Sequence, residues 1–141
     1  MRQFTKTTDI KSSTENISRV MADVARWHEW TPSITKVTLV DSRALKLGRV
    51  VMVKQPKFPV AKWVVTSLTS NVSFTWVSAN PRIVVKATHT VAPRSAGAHV
   101  TLQLKFSGWL SGLFASPTAA INMRYLTIET DGLRPRCESL R

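Results

Sequence analysis

Through the middle of the chain apolar and polar residues alternate with a period of two. One side reads Trp63, Val65, Ser67, then Val72, Phe74, Trp76, then Ile83, Val85, Ala87, His89, Val91, and after a turn at Gly97 continues as Val100, Leu102, Leu104 and Phe106. The other side carries Lys62, Val64, Thr66, then Ser73, Thr75, Val77, then Val84, Lys86, Thr88, Thr90, and then His99, Thr101, Gln103 and Lys105. Successive side chains on a strand point to opposite faces, so this pattern predicts an antiparallel sheet with one apolar, aromatic face and one face toward water. Strands are expected at about 34–40, 48–55, 61–70, 72–79, 82–93 and 98–107. Asn71, Asn80-Pro81 and Ser95-Ala96-Gly97 are turn signals between the later strands.

The ends of the chain follow other rules. Residues 4–10 read as a Thr-rich first strand. Ser12 or Ser13 can then cap a short helix, whose Ile17, Val20, Met21 and Val24 recur at three, four and seven. Pro32 turns the chain away from helix at Thr31. After Gly108 the alternation stops, and Ser116-Pro117 is an N-cap and first-turn pair for a long helix reaching Glu138. Met123, Leu126, Thr130, Leu133, Cys137 and Leu140 form its stripe, widened by Ile121, Tyr125 and Ile128. Gly132 and Pro135 are poor interior helix residues, and Pro135 removes the bond to the carbonyl of Asp131, which predicts a kink or break there. The fold class is therefore α+β: a curved sheet of about six to seven strands whose apolar face must be covered, the terminal helix being the one element long enough to cover it. The space between them can be packed solid or left open.

At 141 residues the chain is expected to form a single domain spanning 1–141. Its first ten residues have no apolar core of a leader and no stretch reaches membrane-span length, which points to a cytoplasmic protein with no integral membrane segment. One cysteine, Cys137, leaves no internal disulfide, and the two glycosylation sequons at Asn16 and Asn71 read as chance matches. The formal charge of +12 is distributed unevenly: no Asp or Glu falls between Asp41 and Glu129, while Arg43, Lys46, Arg49, Lys54, Lys57, Lys62, Arg82, Lys86, Arg94, Lys105 and Arg124 do. Such a surface attracts anions, whether nucleic acid, an anionic membrane or an acidic ligand, or simply keeps the protein soluble. Nucleic acid is not favoured, because stacking platforms need exposed aromatics and here these lie opposite the lysines.

The few polar groups on the apolar face are the chemical candidates. Gln55, Ser67, His89 and Thr130 are expected to point inward, with Thr8 as a further one. A mostly apolar space with a few polar groups is the composition of a small-molecule site. His89 can act as a general acid or base near neutral pH, although a buried neutral histidine with a hydrogen-bond partner is the plainer reading. The acid-free interval tells against a carboxylate dyad: Asp9, Glu15, Asp23, Glu29, Asp41, Glu129, Asp131 and Glu138 include no evident inward pair. No nucleophile motif or phosphate-cradling glycine loop is present, and His28, His89 and His99 are not placed to share a metal, so neither metal nor cofactor is expected. Trp30, Trp63, Trp76, Phe74 and Phe106 line or fill the interior. The apolar segment 108–115, which holds Trp109, Leu110, Leu113 and Phe114 with glycines at 108 and 112, reads as a lid, a contact surface, or packing against the helix start.

The order of elements, with Asp23-Val24-Ala25-Arg26-Trp27-His28-Glu29-Trp30-Thr31-Pro32, Gly48 with Val51 and Val53, Ala61 to Thr66, Phe74-Thr75-Trp76, His89, Gly97 to Leu102 and Glu129-Thr130-Asp131-Gly132-Leu133, resembles the START-like or SRPBCC superfamily, and within it the polyketide cyclase/dehydrase and lipid-transport family. The resemblance covers nearly the whole chain. It implies a helix-grip fold with a cavity between sheet and helix that takes lipids, polyketides and similar molecules, and its members include both binders and enzymes. On this basis the expected function is binding of a small hydrophobic ligand, which can be anionic. The alternatives are a cyclase or dehydratase using His89 as catalytic residue, and a basic module for nucleic acid or an anionic membrane; a homodimer stays open. The expected ligand-binding residues are Trp30, Val53, Gln55, Trp63, Val65, Phe74, Trp76, Val85, His89, Leu104, Phe106, Leu126 and Thr130.

Overall fold

The computed structural model describes residues 2–39, 46–56, 58–79, 83–108 and 119–140. The chain opens with β1 (Arg2–Ile10), the helix α1 (Thr14–Ala22) and a 3-10 helix (Val24–Glu29). Six strands follow: β2 (Lys36–Leu39), β3 (Val50–Lys54), β4 (Ala61–Thr69), β5 (Ser73–Ala79), β6 (Val84–Arg94) and β7 (Gly97–Ser107). The helix α2 (Ala119–Glu138) comes last. The strands form one antiparallel sheet in the order β1-β7-β6-β5-β4-β3-β2, so the first strand adds beside the last. The expected α+β helix-grip architecture is present, with seven strands and no closure between β1 and β2.

Local chemistry accounts for the joints. Ser13 caps α1, its Oγ accepting from the Asn16 N–H at 3.1 Å, which satisfies one of the helix's orphan donors. Asn71 turns β4 into β5 with φ at 62°, a left-handed conformation that asparagine tolerates. Gly97 begins β7 with φ at 148°, and a Cβ there would lie 2.1 Å from the carbonyl oxygen of Ile10, so β1 can close against the β6–β7 hairpin only at a glycine. Ile17, Val20, Met21, Val24 and Trp27 join Val51, Val65, Phe74, Trp76, Val100 and Leu102 of the sheet and Leu126, Leu133 and Cys137 of α2 in one buried core.

Four expectations fail, each for a physical reason. Ser67 is exposed, because the β4–β5 register jumps between Val65↔Trp76 and Ser67↔Thr75; this bulge puts Leu68, itself exposed, opposite Phe74. Val72 precedes β5 in the turn and is 47% exposed. Leu140 lies beyond the end of α2 and is also exposed. Most plainly, α2 does not break at Gly132 or Pro135 but continues to Glu138. Pro135 sits in the last turns, where one lost N–H costs little more than an end would, and Ser139 still donates to its carbonyl at 3.1 Å. Gly132 is explained by packing: a Cβ would lie 1.9 Å from the carbonyl oxygen of Trp30. The turn at Asn80-Pro81, the helix start at Ser116-Pro117 and the segment from Trp109 to Ala115 fall outside the described residues.

Candidate functional site

Between the sheet's inner face and α2 lies a cavity of about 320 Å³, within the range of small-molecule sites. Its sheet wall is built by the alternation, with Trp63 from β4, Trp76 from β5, Val85, Ala87 and His89 from β6, and Leu102, Leu104 and Phe106 from β7. Trp27 and Ile34 supply one end; Gln55, Phe58 and Pro59 border another side. The helix wall presents Asn122, Tyr125, Leu126 and Glu129.

Of the residues expected from sequence, Val53, Gln55, Trp63, Trp76, Val85, His89, Leu104, Phe106 and Leu126 come together around this cavity. Trp30, Val65, Phe74 and Thr130 stand outside its lining. Val65 and Phe74 are core, Trp30 packs its ring on Trp27 at 5.5 Å, and Thr130 donates its hydroxyl to the Thr127 carbonyl at 2.9 Å.

His89 is buried in the cavity wall in an aromatic box. Its ring stacks on Phe74 with centroids 4.1 Å apart and planes 6° from parallel, and the edges of Trp27 and Trp76 lie at 5.4 and 5.9 Å. Trp27 itself is fixed by its indole N–H, which donates to the Met21 carbonyl at 3.0 Å. Burial pushes the imidazole down to about 4, opposed only by a backbone hydrogen bond at Phe74, so the ring is neutral at physiological pH. Its Nδ1 is buried without a hydrogen-bond partner among the described residues.

Among the lining residues that the sequence reading did not place in the site, such as Trp27, Phe58, Asn122 and Tyr125, the one carboxyl is Glu129. An acid on a helix ordinarily marks the wet side, yet this one lines the cavity. Its Oε1 accepts a hydrogen bond from Ser33 Oγ at 3.3 Å, and Ser33 is in turn 2.7 Å from Thr31 Oγ1. Both hydroxyl residues are 1% exposed. Burial pushes the Glu129 carboxyl up to about 7, with the Ser33 hydrogen bond pulling the other way. Near neutral pH this carboxyl can therefore hold or release a proton, and the hydroxyl chain can reverse its direction to suit either state. The signal was present in the spacing: Asn122, Leu126, Glu129 and Leu133 fall at i, i+4, i+7 and i+11, one face of a helix.

The rim beside β3 is tied to α2. Tyr125 donates its hydroxyl to the Pro56 carbonyl and packs on Phe58 at 5.8 Å, while Lys54 Nζ donates to the carbonyls of Gln55, at 2.8 Å, and Phe58. Among the described residues no three His, Cys, Asp or Glu side chains gather as a metal site would need.

Over residues 1–138 the sequence matches the profile of a family described as polyketide cyclase/dehydrase and lipid transport. No curated protein matches the sequence at a significant level. Among solved structures, major latex-like protein 151 from Panax ginseng superposes with a TM-score of 0.78 at 16% identity, over 96% of this chain and 97% of that one. A START superfamily protein from Mycobacterium smegmatis gives 0.74 at 14% identity over 99% of both chains. The di-domain aromatase/cyclase StfQ of the steffimycin biosynthetic pathway gives 0.76 at 8% identity, with 97% of this chain covering 50% of that one. At these identities the likeness is one of fold.

Proposed function

The chain belongs to the polyketide cyclase/dehydrase and lipid transport family, and we propose that it binds one small, mainly apolar molecule in the cavity between sheet and α2. The observation that carries this reading is the wall composition. Indole and aliphatic surfaces of Trp63, Trp76, Val85, Leu104, Phe106 and Leu126 enclose the space, and only a few polar groups interrupt them. Apolar burial supplies the affinity and the polar groups fix orientation. The charge pattern is secondary: lysines such as Lys86 and Lys62 stand exposed on the outer face, while the aromatics that would stack on bases are turned inward. The test is delipidated protein against a panel of fatty acids, aromatic polyketides and hydrophobic dyes, beside mass spectrometry of what solvent extracts from the purified protein. Saturable one-to-one binding of at least one class is expected, and failure of every class removes the reading.

An enzymatic reading, as a cyclase or dehydratase, is supported by one observation, the Nδ1 of His89 within the cavity wall, unpartnered among the described residues. An imidazole held at about 4 is a weak base, so the ring would orient a substrate better than it would deprotonate one. Unchanged turnover of a candidate substrate by folded His89→Ala would eliminate this role.

A further inference from the structure

We propose that Glu129 is the polar anchor of the cavity and that the molecule bound there is neutral and carries a hydroxyl directed at this carboxyl, rather than a carboxylate or other anionic head. This rests on the binding reading above and specifies its ligand class.

The geometry is asymmetric. The sheet side of the cavity is uncharged, with Ser78, Thr88, Gln103 and the ring of His89, clamped between Phe74 and the two indoles, among its apolar side chains, whereas α2 brings an ionisable oxygen pair to the same space. Ser33 fixes one of the carboxyl oxygens, Oε1, and among the described residues it is that group's only hydrogen-bond partner. Oε2 has no hydrogen bond among the described residues and can take a donor from whatever fills the cavity. No described cation is paired with this carboxyl, since the ion pairs of α2 lie further along, at Arg134 with Glu138 and Arg136 with Glu29.

That arrangement discriminates between head groups. A hydroxyl donates to the carboxylate, satisfies it and leaves no net charge of its own to desolvate. An anionic head would stand beside a second acid in a low-dielectric space whose described lining holds no cation, Lys54 at the rim being bound to the carbonyls of Gln55 and Phe58; two acids so placed raise each other's pKa values and repel. The net charge of +12 speaks to encounter from outside and not to the inside of the site, where the nearest formal charge is negative. The tie between Ser33 and Glu129 also joins two stretches distant in sequence, the turn after Trp30-Thr31-Pro32 and the helical Glu129-Thr130-Asp131-Gly132-Leu133, at the place where Gly132 lets the helix approach the Trp30 carbonyl.

Three probes sharing one ring system isolate the head group: 2-methylnaphthalene, 2-naphthol and 2-naphthoate, titrated at pH 7.5 into the intact protein. Wild type is expected to bind the naphthol about tenfold more tightly than the methyl compound, the size of one hydrogen bond to a charged group, and the naphthoate at least tenfold more weakly than the naphthol. In Glu129→Leu the naphthol preference should vanish with methylnaphthalene binding kept, while Glu129→Gln, which retains an acceptor of the same shape, should keep part of it. Equal binding of naphthol and methylnaphthalene by wild type, or tighter binding of naphthoate, overturns this inference and leaves the binding reading standing. A naphthol preference that survives intact in Glu129→Leu overturns it as well. If Glu129→Leu does not fold, the wild-type series and Glu129→Gln decide. No binding of any of the three defeats the inference outright, and it defeats the binding reading too only if the wider panel also fails.

Discussion

The two walls of the cavity are made by different rules. On the sheet side a period of two decides everything: once one residue of β6 faces inward, Val85, Ala87 and His89 follow, and the paired strands repeat the choice through Trp76, Leu102, Leu104 and Phe106. On the helix side each residue advances by about 100°, so the edge of the buried stripe is gradual and a residue on it belongs to either surface. Glu129 sits on that edge. The sheet wall is therefore mainly apolar and uncharged, its polar residues being Ser78, Thr88, Gln103 and the neutral His89, while the helix wall carries the carboxyl.

Disrupting the helix wall's approach should have the largest effect. Replacing Gly132 by Ala would gain about 1 kcal/mol in helix propensity on an exposed helix, but here the added methyl meets a backbone oxygen that cannot step aside. The expected outcome is a net loss of about 2 kcal/mol, read as a fall in the denaturant midpoint with unchanged slope; a stabilised protein would show that α2 does not lie against the Trp30 carbonyl.

The two walls should also respond to pH with opposite signs. Glu129 is held near 7 when folded against an ordinary 4.5, so its folded form binds the proton more tightly; stability is fullest below 4.5 and falls as pH rises toward 7. His89 is held near 4 against 6.5, so its folded form resists the proton; stability is fullest above 6.5 and falls as pH drops toward 4. Each effect is on the order of 2 kcal/mol. Denaturant titrations from pH 4 to 8 should show Glu129→Gln flattening the decline on the alkaline side and His89→Leu flattening that on the acid side. Loss of both slopes in one variant would mean the two groups titrate as a unit.

A smaller effect sharpens the helix wall alone. Ser33→Ala removes the donor to Glu129 and should cost about 1 kcal/mol while moving the Glu129 titration further up, visible in a carboxyl-carbon NMR titration. An unmoved Glu129 would show that Ser33 does not hold it.

The sequence carried the fold well because its main signals were local and redundant. Six stretches of alternation, the Ser13 cap and the Asn71 turn each predict an element that is present. It failed where a local signal met a tertiary cause. A bulge in β4 turned Ser67 outward, and Gly132, read as a helix breaker, is instead the place where another part of the chain touches the helix. The site was half legible for the same reason. Nine of the expected residues follow from parity and the helix stripe and surround one cavity, whereas the inward turn of Glu129 depends on Ser33 and Thr31 coming from a loop 96 positions away in the case of Ser33. An acid is read as wet until its partner is seen.

The central claim is that the space between the walls is a binding chamber, and filling it tests that claim most directly. Leu104 lines the cavity from the middle of β7, opposite Ala87 of β6 and Phe4 of β1. A fluorescent apolar probe titrated into wild type should saturate at one site per chain, and Leu104→Trp should weaken that binding at least tenfold while its circular dichroism stays native. Equal binding by the two folded proteins would place the probe elsewhere and contradict the account.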